Sequence, residues 1–245
     1  MSEEYGHDRV SAGEGQMVMP FYLICDVSYS MSRDMAALND GVQRLRRSIV
    51  SEPFVDDVAH ISIMTFSDTA KVVLPLTQLS EQPVPQLSVE GGTNYGAAFR
   101  ELAHVIPADA AALKAQGYKV FRPCAFFLTD GEPQDRDYWE TFKATLTYNR
   151  VTGVGMKQHP TFIPFGFRQA PVDVLKKLAY PPERARWYHI ANDDIGLVIK
   201  NILDVIMKTV VSSGQSSSTG APALIHAPAP TISGVTQGAA EDFLD

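Results

Sequence analysis

Two apolar runs, each closing on an aspartate, constrain this chain more than any other feature. The first is VMPFYLICD at residues 18–26 and the second is VFRPCAFFLTD at 120–130. Near-continuous apolar runs of this length fit strands buried on both faces, as in a parallel sheet covered by helices. The intervening text changes period. Met35, Leu38, Val42, Leu45 and Ile49 recur at spacings of 3, 4, 3 and 4, which predicts an amphipathic helix. Arg44, Arg46 and Arg47 occupy its other face, and Pro53 marks its exit. VAHISIMTF (58–66) and AKVVLPL (70–76), joined by Ser67-Asp68-Thr69, read as a hairpin. Phe99, Leu102, Ala103 and Ile106 predict a helix interrupted near Pro107 and closed by Gly117. A helix around 137–148, a strand at TFIPFGF (161–167), a short helix over 172–179 and an edge strand at RWYHI (186–190) follow. Ile195, Val198, Ile199, Ile202, Val205 and Ile206 predict a closing amphipathic helix. The fold class is therefore α/β: a doubly wound, mostly parallel central sheet with one antiparallel strand and helices on both faces.

Domain limits follow from composition. Residues 1–16 are polar and are expected to be a flexible segment. Residues 17–211 make one domain, and 212–245 read as a disordered tail rich in Ser, Gly, Ala and Pro. Of the formal charge of −7, residues 1–15 supply −3 and residues 212–245 another −3, leaving the body near −1. A nearly neutral body with acidic ends argues against nucleic acid, whose binding needs a cationic surface, and against anionic membranes. No apolar run reaches the length needed to span a bilayer, and the first residues lack the layout of a secretory signal. Cys25 and Cys124 both lie in apolar runs and read as buried reduced thiols, so a cytoplasmic location is expected. No heptad array demands self-association, and a monomer is expected.

Ligands of open α/β sheets bind beyond the carboxyl ends of the strands. Three segments place oxygen donors there: Asp26-Val27-Ser28-Tyr29-Ser30 after the first strand, Gly91-Gly92-Thr93-Asn94 before a helix, and Thr129-Asp130-Gly131-Glu132 after the second apolar run. Two carboxylates and three hydroxyls, without nitrogen or sulfur, select a hard divalent cation, Mg²⁺ or Mn²⁺. Each loop alone also reads as capping or turn chemistry, with Ser28, Ser30 and Ser32 before Asp34 as capping residues. Their ordered conjunction favours the metal. Tyr138 and Trp139 fit either an interface or packing of the next helix, and Asp135 and Asp137 read as a solvated turn and a helix start.

Asp26-x-Ser28-x-Ser30 followed by Thr93 and Asp130 resembles the metal-ion-dependent adhesion site of von Willebrand factor type A domains. The resemblance covers roughly residues 18–210. FYLICDVSYSM, GGTNYGAAF and GYKVFRPCAFFLTDGEPQD are similar, more narrowly, to a bacterial cytoplasmic TerY-like subgroup associated with tellurium resistance. The resemblance implies direct coordination by Ser28 and Ser30, with Thr93 joining when a ligand is bound. It gives Asp26 and Asp130 roles through waters or in holding the hydroxyls. One position departs from the pattern, since Tyr29 stands where relatives usually have Gly.

A cation with mostly neutral direct ligands stays electrophilic and can take an Asp or Glu from another protein. The chain is thus expected to be a non-enzymatic, metal-dependent interaction module in a stress-response or signalling system. Two other readings compete: a Mg²⁺-dependent phosphohydrolase and a cofactor of an AAA-type ATPase. The first lacks a second carboxylate in the Asp26 loop, a P-loop and an evident base.

Overall fold

The two apolar runs become adjacent strands in the middle of one sheet. The computed structural model describes residues 15–190, 196, 208 and 235–239. Strand β1 (Met17–Asp26) lies parallel to β2 (Ala59–Phe66) on one side and to β5 (Cys124–Thr129) on the other. β3 (Ala70–Thr77) returns antiparallel to β2, as the hairpin requires. β6 (Thr161–Phe167) and β7 (Arg186–Ile190) extend the parallel part, and with β8 (Val235–Ala239) at the end the order is β3-β2-β1-β5-β6-β7-β8. Val120, the first residue of the second run, joins Lys119 in β4 (Lys119–Val120), which pairs separately with β1. Between β4 and β5 lie Phe121, Arg122 and Pro123, so the run of 120–130 is not one strand.

Alternate side chains of β1 enter two different cores, as the two-residue period of a strand dictates. Phe21, Leu23 and Cys25 join Leu38, Val42, Leu45 and Ile49 of helix α1 (Met35–Val50). Tyr22 and Ile24 join Phe99, Leu102 and Ile106 of α3 (Tyr95–Ala115), and Phe142 and Leu146 of α4 (Tyr138–Leu146). The expected doubly wound sheet with helices on both faces is the observed architecture. A short α5 (Val172–Leu178) covers Trp187 of β7 through Leu175.

Several local expectations differ from the structure. α1 ends at Val50, just before Pro53 as expected, but Pro53 also opens an unexpected second helix, α2 (Pro53–Val58), at the first-turn position where its missing N–H costs nothing. α3 runs unbroken through Pro107. An interior Pro costs about 3 kcal/mol, and here buried Leu102, Ile106, Ala110 and Leu113 hold the helix on both sides of it. Gly117 closes α3 as expected, at φ 91, with its N–H on Lys114 O and the Tyr118 N–H on Leu113 O.

The largest correction concerns the tail. Val235–Ala239, inside the segment expected to be disordered, form β8, antiparallel to β7 from Arg186↔Ala239 to Ile190↔Val235. β7 is therefore not an edge strand. Its free backbone groups supply a template that composition cannot reveal, and Gly238 lets the strands approach: a Cβ there would lie 2.7 Å from the Trp187 indole nitrogen. Apart from Gly15 and Gln16 the N-terminal segment, apart from Gly196 the closing helix, and apart from β8 the tail lie outside the described residues.

Candidate metal centre

β1 has β2 on one side and β5 on the other, so the chain reverses its winding direction at the β1/β5 boundary. Crevices of doubly wound sheets open at such a boundary. The register sets Cys25 beside Leu128, which brings Asp26 and Asp130 to the same end of neighbouring strands. Both are buried, at 0% and 3% exposure.

A chain of short hydrogen bonds joins the loops. Ser30 Oγ donates to Asp130 Oδ1 at 2.6 Å, and the Ser28 and Ser30 hydroxyls lie 3.0 Å apart. The Ser28 N–H donates to Asp26 Oδ1 at 2.9 Å, while the Thr129 hydroxyl donates to Asp26 Oδ2 at 2.8 Å. Ser28 stands at the N-cap position of the 3₁₀ turn Tyr29–Arg33 yet makes no side-chain cap bond, so the capping explanation fails for it. Ser32 is the true turn residue; its hydroxyl donates to the Tyr29 carbonyl.

Thr93, in the loop before α3, is buried and makes no hydrogen bond to the other four among the described residues. Its backbone is fixed from two sides. Tyr29 N–H donates to Gly91 O at 3.1 Å and Glu90 N–H to Val27 O at 2.7 Å, tying this loop to the first. Gln134 N–H donates to Thr93 O at 2.9 Å, tying it to the loop after β5. Further back, buried Asn39 of α1 clamps Leu87 through both its amide oxygen and nitrogen, at 2.7 and 2.9 Å.

Burial pushes the Asp26 carboxyl up to about 6, against the pull of hydrogen bonds from Ser28 and Thr129 and with a small push from Asp130. Burial also raises Asp130, opposed by the Ser30 hydroxyl and the Arg168 guanidinium. Two buried acids disfavoured as anions, beside three hydroxyl oxygens, are a donor set that a hard dication suits. The residues present thus fit such an ion. Among the described residues no cluster of three His, Cys, Asp or Glu side chains has metal-holding geometry; this donor set draws on hydroxyls instead.

Several supporting residues escaped the sequence reading. Thr129 links Asp26 to Tyr95, whose hydroxyl lies 3.0 Å from Thr129 Oγ1 and donates to Gly131 O at 2.7 Å. Asp135, read as a solvated turn, instead caps α3 from a distance, accepting from the N–H groups of Tyr95 and Gly96 at 2.9 and 2.8 Å. The N–H groups left unpaired at the start of a helix call for acceptors, and Asn94 serves another of them, accepting from the Ala97 N–H. Tyr138 and Trp139 take the packing option, edge-on to Tyr95 and stacked on Phe142. Arg168 pairs with Asp34 and has Asp130 Oδ2 at 3.9 Å.

Tyr29 raises no backbone difficulty. Among the described residues only Arg168 is a non-glycine at positive φ, so the position usually held by Gly needs no left-handed backbone here. Tyr29, between Ser28 and Ser30, is 72% exposed.

An open α/β sheet with oxygen donors gathered at its winding reversal defines a class of ligand-binding doubly wound domains. Within it, residues 21–132 match the family model of the von Willebrand factor type A domain. Three solved structures share the fold. A von Willebrand factor type A protein from Catenulispora acidiphila is 15% identical at a TM-score of 0.56, over 80% of this chain and 43% of that one. Proximal thread matrix protein 1 from the mussel byssus, with a zinc-occupied MIDAS motif, is 15% identical at 0.53, over 82% and 49%. The pilus adhesin SpaC from Lactobacillus rhamnosus GG is 14% identical at 0.56, over 80% and 31%. The chain thus spans less than half of each of these proteins. No curated protein matches the sequence. Domains of this family commonly mediate metal-dependent protein interactions.

Proposed function

We propose that this chain binds a protein partner through a divalent cation, Mg²⁺ or Mn²⁺, held by Asp26, Ser28, Ser30, Thr93 and Asp130. The observation that carries the proposal is the hydrogen-bonded series from Asp26 through Ser28 and Ser30 to Asp130 across the β1/β5 boundary. When bound, the ion supplies an electrophilic centre with room for a carboxylate from the partner. Asp130 orients the Ser30 hydroxyl, leaving that oxygen's lone pairs available, and Asp26 fixes the Ser28 backbone. The cavity beside Ser30 and Asp130 is also lined by Arg33, a cation that suits an acidic partner segment, and by Arg168, which is paired with Asp34. The zinc-occupied MIDAS motif of the byssus protein supports a divalent ion in this fold.

In this reading the chain is a binding module rather than an enzyme. His60 and His159, the buried imidazoles, sit edge-on to Tyr118 and Tyr180 instead of beside a nucleophile. A cytoplasmic setting is supported by two free, buried thiols, Cys25 and Cys124. The TerY-like subgroup, with its tellurium-resistance and stress-response setting, rests on the sequence motifs alone. Among the described residues no helix is long and apolar enough to cross a membrane.

The test is a pulldown from native lysate with Mg²⁺, with EDTA, and with Asp26→Ala. A partner held only with Mg²⁺ and the intact aspartate is the expected result. A partner held in all three conditions overturns the metal-bridged reading. Turnover of a generic phosphate ester with Mg²⁺, abolished by Asp26→Ala, would overturn the non-enzymatic one.

A further inference from the structure

The far end of the sheet carries a second concavity, remote from the carboxyl ends of β1 and β5. It lies between the last turns of α3, the first residues of β1 and the segment linking β4 to β5. Its volume, near 390 Å³, is within the range of small-molecule sites, roughly 300–1,000 Å³. Tyr22, Ile106, Ala110 and Phe121 give it an apolar wall. Three cations complete the lining: Lys114 from α3, Arg122 from the linking segment and Lys157 from the loop before β6.

These cations are not matched by acids. None of the three forms a salt bridge among the described residues. Arg122 spends one N–H on the carbonyl of His159 at 2.8 Å, a neutral acceptor. Arg150 and Arg184 stand near enough to act on Arg122 as like charges, with Glu183 opposing them. Asp109, the acid behind the wall, already accepts from the Tyr22 hydroxyl at 2.9 Å and does not line the cavity. An apolar wall facing unmatched cations is complementary to a ligand with the reverse layout.

We infer that this cavity is a binding site for a small amphipathic organic anion: an apolar ring or short acyl body carrying one carboxylate. The apolar part lies against Ile106, Ala110 and Phe121, and the carboxylate meets Lys114, Arg122 and Lys157. The inference stands apart from the metal centre, since none of the five proposed metal residues lines this cavity.

The probe is 4-phenylbutyrate, with 4-phenylbutan-1-ol as the uncharged control, titrated into the ¹⁵N-labelled full chain and followed by amide shifts. Saturable shifts centred on residues 106–123 and 157–158 are expected, with the alcohol at least tenfold weaker. Lys114→Gln combined with Lys157→Gln, both exposed positions, is expected to weaken the acid at least fivefold and leave the alcohol unchanged. Ala110→Phe, which fills the cavity, is expected to abolish binding of both. No saturable shift, equal affinity for acid and alcohol, or shifts elsewhere on the domain each overturn the inference. If Ala110→Phe does not fold, the lysine pair decides: an unchanged affinity for the acid overturns it.

Discussion

Arg168 reaches across the sheet end to Asp34, with Nη1 2.6 Å from Oδ2 and Nη2 donating to Oδ1 at 2.8 Å. The pair links the loop after β6 to the residue that opens α1, and Arg168 Nη1 also lies 3.9 Å from Asp130 Oδ2. Asp34 is 5% exposed, and deleting its partner leaves a buried charge. Arg168→Ala is expected to destabilise the domain by about 3 kcal/mol. Arg168→Lys keeps the charge but not the two-pronged geometry, and is expected to lose about half as much. Urea denaturation of the three proteins measures both.

Metal binding should register as stability. At a Mg²⁺ or Mn²⁺ concentration about 100 times Kd the native state gains about 2.7 kcal/mol. A rise in melting temperature over EDTA is expected for the wild type and is expected to vanish in Ser30→Ala. Ser30→Ala also removes the bond to buried Asp130, so each protein's rise is read against its own EDTA value. Equal metal response in both proteins would remove Ser30 from the ligand set.

Tyr29 separates metal from partner. Its ring is exposed and its backbone is not left-handed. Tyr29→Gly is therefore expected to leave the metal-induced rise in melting temperature intact. Partner capture should change, because Tyr29 is exposed between Ser28 and Ser30. A lost metal response would mean that the aromatic side chain shapes the ion site itself.

Asp135 couples a helix end to the Thr93 loop. Asp135→Ala frees two N–H groups at the start of α3 and is expected to cost about 1–2 kcal/mol. Because those N–H groups belong to Tyr95 and Gly96, just after Thr93, metal affinity should fall as well. Calorimetry of metal binding beside a denaturation curve reads the two effects separately.

His159 sets part of the acid limit. Burial, with Arg122 adding like charge, lowers its imidazole from 6.5 to about 4. The folded state therefore binds this proton less readily than the unfolded chain. Its contribution is fully present above about pH 6.5 and is lost as pH falls toward 4. His159→Gln should narrow its stability gap to the wild type, or overtake it, across that window. A gap constant between pH 7 and 4 would remove His159 from the acid response.

What the sequence determined by itself was local or periodic. The apolar runs located β1 and β5, the 3-and-4 spacing from Met35 to Ile49 located the buried face of α1, and Ser67-Asp68-Thr69 located the β2–β3 turn. The order of the DxSxS, GGT and TDG segments named the five candidate ligands, because strand ends in such a sheet fall together whatever lies between them. Tertiary structure decided what depends on partners distant along the chain. That Thr129 donates to Asp26, that Asp135 caps α3, and that Arg168 pairs with Asp34 follow from inter-strand register and loop packing, which carry no local signature. The same holds for β8: VTQGA has little strand character of its own and becomes a strand where the open edge of β7 offers hydrogen-bond partners. Periodicity reports which face of an element is buried, whereas the identity of what covers that face is a property of the assembled chain.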